Sequence, residues 1–174
     1  MRGFASELKD SQVQSLKKSV AKAAAYNTTF LSHSSKDKSL VTGAMRILTN
    51  HGAFVYIDEI DPTMPPYTSE ETAKKLKDRI RQTKKFVLLA TENSKNSKWV
   101  PWELGVADGY KTLSNVAIFP TIEDGGSSSW TSWEYLGLYH RIVWGDIKGQ
   151  KKSLWMVLDE KNNTAVPLRR WLKR

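Results

Sequence analysis

Short apolar runs alternate with amphipathic stretches along most of this chain, and that rhythm restricts the fold more than any other feature. Thr28-Thr29-Phe30-Leu31, Phe54-Val55-Tyr56-Ile57, Phe86-Val87-Leu88-Leu89-Ala90 and Val116-Ala117-Ile118-Phe119 have the length of strands. Between them, Val41, Ala44 and Leu48, then Ala73, Leu76 and Ile80, recur at helical spacing. Strands apolar along their whole length, separated by helices, predict a parallel sheet covered on both faces. Right-handed crossovers make it a doubly wound α/β domain.

Local signals fill in the rest. Gly52 is placed to end the first of these helices. Asp58 to Tyr67 carries Pro62, Pro65 and Pro66 and is expected to be irregular. Thr68-Ser69-Glu70-Glu71 reads as a capping box opening the next helix. A polar turn over Glu92–Lys98 leads into a helix from about Trp99 to Lys111, and Pro120 stops the fourth strand. Gly125-Gly126-Ser127-Ser128-Ser129 reads as flexible, Arg141–Trp144 as a fifth strand, Leu154–Leu158 as an extra strand and Val166–Leu172 as a closing helix. Val13, Leu16, Val20 and Ala23 predict a helix over residues 6–25. The expected organisation is an N-terminal helical extension at 1–26 and one domain at 27–174. That domain has its core at about 27–145 and an extension at 146–174.

Composition excludes several classes of function. There is no cysteine among the 174 residues, so disulfides, thiolate metal sites and cysteine nucleophiles are absent. No apolar run approaches the roughly 18 residues that span a bilayer, and the polar N-terminus does not read as a signal peptide. A cytoplasmic protein without membrane contact is expected. The net charge of +9 raises nucleic-acid binding. The lysines, however, are spread along the chain, and the densest basic cluster is only Arg169, Arg170, Lys173 and Arg174. The charge reads instead as a basic surface that attracts an anionic substrate.

The segment 86–103 carries the chemistry. A buried strand runs out through the polar turn, and the next helix opens with Trp99 and, one turn on, Glu103. In open parallel sheets ligands bind beyond the carboxyl ends of the strands, where strand order reverses. The loops expected there are Ser32–Lys38 and Glu92–Lys98. An indole next to a carboxylate suits a planar cationic ring. Each residue also has a plainer reading. Glu103 serves equally as a helix N-terminal acid, Trp99 and Trp102 as packing aromatics, Asp58 as a turn cap, and Glu59 and Asp61 as solvated loop acids. His33, His51 and His140 lack metal-ligand spacing, so no metal is expected, and Ser32 and Ser34 lack a histidine–acid set for nucleophilic attack.

These residues resemble a TIR (Toll/interleukin-1 receptor) domain of the stand-alone bacterial kind. The resemblance rests on Phe30-Leu31-Ser32-His33 with its Ser/Lys/Asp loop, Phe54–Asp58 before the proline-rich loop, Phe86–Thr91, and Ser97-Lys98-Trp99-Val100-Pro101-Trp102-Glu103-Leu104-Gly105. Together they cover about residues 27–145, and Trp99-x-x-x-Glu103 matches the family's W-x-x-x-E motif.

The resemblance implies a flavodoxin-like, doubly wound parallel five-stranded sheet with helices on both faces. It also implies an NAD+ glycohydrolase or cyclase that releases nicotinamide and forms ADP-ribose or a cyclic ADP-ribose-type product, in prokaryotic antiphage immunity or signalling. Glu103 takes the catalytic role, and Trp99, Ser32, His33, Ser34, Asp58 and Tyr67 the substrate-binding positions. NAD is substrate, and no cofactor is expected. Partners implied are a second copy through TIR–TIR contacts and a downstream effector or sensor. The proline-rich loop departs from the pattern by lacking the glycine that many relatives carry there. A non-catalytic TIR-type adaptor module is the competing reading.

The chemistry itself is simple. Nicotinamide leaves as a neutral molecule, so no general acid is needed, and one carboxylate can hold the ribose hydroxyls and stabilise an oxocarbenium-like transition state. Lys36, Lys38 or a helix N-terminus is placed to take the pyrophosphate.

Overall fold

A computed structural model describes residues 28–65, 69–121 and 134–174. The helix expected over 6–25, the stretch 125–129, Thr68 and Tyr67 lie outside them. Among the described residues the chain forms β1 (Thr28–Ser32), α1 (Lys38–Asn50), β2 (Phe54–Tyr56), α2 (Glu70–Gln82) and β3 (Lys85–Ala90). These are followed by α3 (Glu92–Lys95), α4 (Trp99–Tyr110), β4 (Val116–Pro120), β5 (His140–Gly145), β6 (Leu154–Asp159), β7 (Thr164–Pro167) and α5 (Leu168–Lys173).

The strands make one sheet in the order β2-β1-β3-β4-β5-β6-β7. β1 to β5 are parallel in the flavodoxin-like order, and β6 and β7 add antiparallel to the far edge. The sheet thus has seven strands where five were expected. Leu154–Leu158 joins as the foreseen extra strand, while β7 went unread. Thr164-Ala165-Val166-Pro167 is too short and too mixed to announce itself, and Pro167 resembles a helix start.

Why both sides are covered follows from the strand order. Order reverses around β1, so right-handed crossovers put α1 on one face and α2 and α4 on the other. Alternate residues of each strand feed the two layers. Leu31, Val87 and Leu89 join α1 through Val41, Ala44 and Leu48, and α5 closes this layer with Leu168, Trp171 and Leu172. Phe30, Phe86 and Leu88 join α2 and α4 through Leu76, Ile80, Val100 and Leu104. Register sets Phe30 between Tyr56 and Phe86, with ring centres 5.3 and 5.5 Å away. This aromatic row anchors the centre of the sheet beneath the reversal point.

Local chemistry fixes the element ends. Gly52 takes φ +96 just past α1, a conformation costly for any residue with a Cβ, as its capping role requires. The capping box of α2 sits one residue later than expected. Ser69 Oγ accepts from the Thr72 N–H, and Thr72 Oγ1 accepts from the Ser69 N–H, both at 3.2 Å. The turn after β3 is also more regular than expected, because Thr91 caps the short helix α3 with a reciprocal pair to Ser94. Asp58–Ile60, expected to be irregular, forms a 3-10 turn.

Candidate active site

Two local decisions place Glu103. Ser97 Oγ accepts from the N–H groups of Trp99 and Val100, at 3.2 and 3.3 Å, and so starts α4. Pro101 falls in the first turn, where the backbone N–H has no helical partner to lose. Glu103 then lies in the second turn with its side chain turned toward the sheet. It is 4% exposed, and Ser32 Oγ, at the carboxyl end of β1, donates to its Oε2 at 2.5 Å.

Burial decides the charge of this carboxyl. It is held up to about 8, by burial first and by the nearby Asp58 charge second, with the Ser32 hydrogen bond and His33 opposing. The helix-dipole argument from sequence is thus outweighed: the dipole fades within the first turn, while burial acts at full strength. At neutral pH the buried acid holds its proton. A cation placed beside it draws that proton off.

His33 and Asp58 form the neighbouring wall. His33 Nδ1 lies 3.0 Å from the Leu31 carbonyl, and Nε2 faces Glu59 Oε2 at 3.9 Å, an ion-pair distance. Burial favours the neutral ring, but the Glu59 and Asp58 carboxylates and the Leu31 carbonyl prevail, raising His33 to about 9. Burial also pushes the Asp58 carboxyl up, against the pull of His33. Glu59, read from sequence as a solvated loop acid, is instead the counter-charge of His33, which holds its carboxyl low.

The remaining site residues are distributed differently. Ser34 is buried in the loop after β1; its Oγ accepts from the Lys36 N–H at 3.4 Å and its carbonyl from the Asp37 N–H at 3.0 Å. Trp99 is half-buried, meets Trp102 edge-on with ring centres 5.2 Å apart, and packs with it against the Phe30 layer. Tyr67 lies outside the described residues.

Residues 29–156 match the family model described as TIR domain. The chain belongs to the TIR domain family. A Bacillus cereus (strain MSX-D12) protein, named as a probable 3' cyclic ADP-D-ribose synthase, ThsB', is 34% identical over 148 residues, 83% of this chain and 75% of the relative. A Cytobacillus dafuensis protein, provisionally named cyclic ADP-D-ribose synthase TIR2, is 36% identical over 78 residues, 43% of this chain and 21% of the relative. The TIR match runs from β1 into β6 and takes in Ser32, His33, Asp58 and Glu103.

Two acids in this TIR domain escaped the sequence reading. Asp37 is buried and ties the loop after β1 to the loop after β3. Its carboxylate accepts from Thr91 Oγ1 and Asn93 Nδ2, each at 2.5 Å, so the segments following β1 and β3 are held together. Asp61, also read as a solvated loop acid, is buried. It accepts from Tyr56 Oη at 2.8 Å, from the Thr63 N–H and hydroxyl, and from Arg79 Nε at 3.1 Å. No one-dimensional spacing links Asp37 to Thr91. For Asp61 the signal was Tyr56, a strand phenol whose buried hydroxyl needs a partner.

A stability prediction follows from the two raised groups. Glu103 and His33 both bind protons more tightly folded than unfolded, since about 8 and about 9 exceed the ordinary carboxyl and imidazole values. The His33 contribution is full below its unfolded value and is lost as pH climbs through its folded one; ionising buried Glu103 costs stability in the same direction. The melting temperature is therefore expected to fall from about pH 6 to about pH 8, above which Lys85 and Lys111, both brought down to about 8 by burial first, act in the opposite direction. Thermal scans across that range check it, and a melting temperature that rises there contradicts it.

Proposed function

We propose that this chain cleaves NAD at the bond between nicotinamide and ribose, and that its product is a cyclic ADP-ribose. The observation that carries the reading is the buried Glu103 carboxyl, held by Ser32 at the carboxyl ends of the parallel strands. The names of the two relatives support it, as does the W-x-x-x-E pattern. The electron pair of the broken bond leaves with neutral nicotinamide. The ribosyl carbon becomes cationic, and the Glu103 carboxylate, stripped of competing water, stabilises that charge. A hydroxyl of the same ADP-ribose then attacks and loses its proton, closing the ring; attack by water gives ADP-ribose. Burial sets the charge of Glu103, Asp58 and His33 adjust it in opposite senses, and Trp99 lies one turn before it to shelter nicotinamide.

Incubating concentrated protein with NAD and separating the products by mass spectrometry tests the proposal. Nicotinamide with a cyclic ADP-ribose supports it; nicotinamide with linear ADP-ribose alone keeps the cleavage and removes the cyclase; intact NAD removes both. The ionisation of Glu103 also fixes the pH profile. The value of kcat/KM is expected to rise about tenfold per pH unit below about 8 and then level off. A flat profile there removes the ionised carboxylate from the mechanism.

Self-association belongs to the same proposal. Phe54 on the edge strand β2, Leu138 and Trp144 are exposed apolar side chains of the kind that partners cover. Specific activity that climbs with protein concentration supports a shared assembly. Among the described residues no helix is long and apolar enough to cross a membrane. A cytoplasmic enzyme whose product signals to an effector protein is the setting we propose.

A further inference from the structure

The opposite pole of the sheet has a concavity of its own. At the amino ends of the parallel strands a cavity of about 410 Å³ opens between β3, β5, the turn before β4, the antiparallel pair β6–β7 and α5. Its volume lies within the usual range for small-molecule pockets.

Lys85, the first residue of β3, lines this cavity and is only 2% exposed. A buried ammonium is costly without an anion beside it. The Nζ donates to Asn115 Oδ1 at 2.5 Å and stands 4.5 Å from the centre of the Trp171 ring, two neutral partners. Burial first, then the like charges of Lys84, Arg174 and Lys111, bring it down to about 8, and no acid is among the groups that shift it. The one described acid in the lining, Asp159, is already engaged. It accepts from the backbone and side-chain N–H groups of Asn162 and faces His140 Nε2 at 3.4 Å.

The aromatic wall of the pocket is held by a hydrogen bond of its own. Trp171 Nε1 donates to the Ser114 carbonyl at 2.8 Å, which fixes the indole under Lys85. Arg174 reaches the same cavity from the end of α5, and Val157 and Val166 give it an apolar wall. A buried cation without a counter-charge, a second cation and a locked aromatic face make a preformed site that lacks only its anion. Two cations match the double charge of a phosphomonoester better than the single charge of a carboxylate, and the guanidinium fork fits phosphate oxygens.

We infer that this pocket is a second ligand site, distinct from the Glu103 site, which takes a small phosphomonoester between Lys85 and Arg174 with its organic part against Trp171 and Val166.

The indole N–H resonance of Trp171, assigned in a nitrogen-15 spectrum, reads the site directly. AMP is the probe, inorganic phosphate the bare anion and adenosine the uncharged control. AMP is expected to shift this resonance saturably, phosphate more weakly, and adenosine not at all. Arg174→Gln, on the exposed end of α5, is expected to weaken AMP about tenfold, the loss of one charge-assisted contact. Lys85→Met is expected to abolish the shift in a chain that still melts cooperatively. Glu103→Gln is expected to leave it unchanged, which separates this site from the NAD crevice. A Trp171 resonance that AMP does not move, a shift as large with adenosine, or AMP affinity undiminished in Arg174→Gln overturns the inference. Equal affinity for phosphate and AMP overturns the ester in favour of the free ion.

Discussion

Glu103→Gln is expected to lower NAD cleavage by about 10²–10³-fold, the usual cost of removing one preorganised charge partner of a transition state. Glutamine fills the same volume, and its amide oxygen still accepts from Ser32 Oγ, so the hydrogen bond of 2.5 Å has a replacement. What disappears is the negative charge that faces the ribosyl cation. Because the native carboxyl is buried and held up to about 8, the neutral amide is no less stable in this position, and above that pH it is more so. The variant therefore separates chemistry from folding. Nicotinamide release collapses, while the melting temperature holds or rises in alkaline buffer. Activity within a few-fold of the native chain would show that Glu103 takes no part in the reaction. A collapse of activity together with a large drop in melting temperature would make the residue structural.

Asp61→Ala is expected to carry the largest stability loss among the polar positions, about 2–4 kcal/mol. Removing one partner of a buried ion pair costs about 3–5 kcal/mol; the lower figure applies because the Arg79 side chain is 26% exposed and keeps some water. The alanine leaves the Tyr56 hydroxyl, fully buried, without its acceptor, and frees the Thr63 N–H and hydroxyl. The loop at Asp61–Met64 is tied to α2 through this carboxylate and through Lys75 Nζ donating to the Thr63 carbonyl at 2.5 Å. At this chain length the loss corresponds to a melting temperature lower by about 5–15 °C. Thr63, Tyr56 and Arg79 together overcome burial and hold the Asp61 carboxyl below its ordinary value. Its stabilisation is therefore present at neutral pH and lost as acid protonates it. A variant that melts within a degree or two of the native chain would return Asp61 to the solvated role that composition suggested.

Particular residues show how far a sequence reaches. Phe30-Leu31 and Phe86–Ala90 were legible as strands because both faces of a parallel sheet are buried, which leaves an unbroken apolar run that no surface element resembles. Gly52 was legible because one backbone conformation demands it. Trp99 and Glu103 were legible as neighbours because four residues make a helical turn. Asp37 was not, since its partners Thr91 and Asn93 stand at the start of α3, 54 and 56 residues further along the chain, and no local rule distinguishes a bridging aspartate from a solvated one. Nor was Lys85, which looks like any lysine at the start of a strand until α5 folds Trp171 over it.

The sequence by itself determined the alternation of strand and helix that makes the layers of this protein and the turn of helix that bears Glu103, because periodicity and backbone preference act over a few residues; the order of the strands in the sheet is a property of the tertiary structure. Tertiary structure alone decided the charges. Whether Glu103 holds a proton, whether Glu59 serves His33 and whether Lys85 lacks an anion all depend on what the fold brings near each group and how much water it removes. Burial and Coulomb energy act through space, and distance in space is not encoded at any one position of the chain.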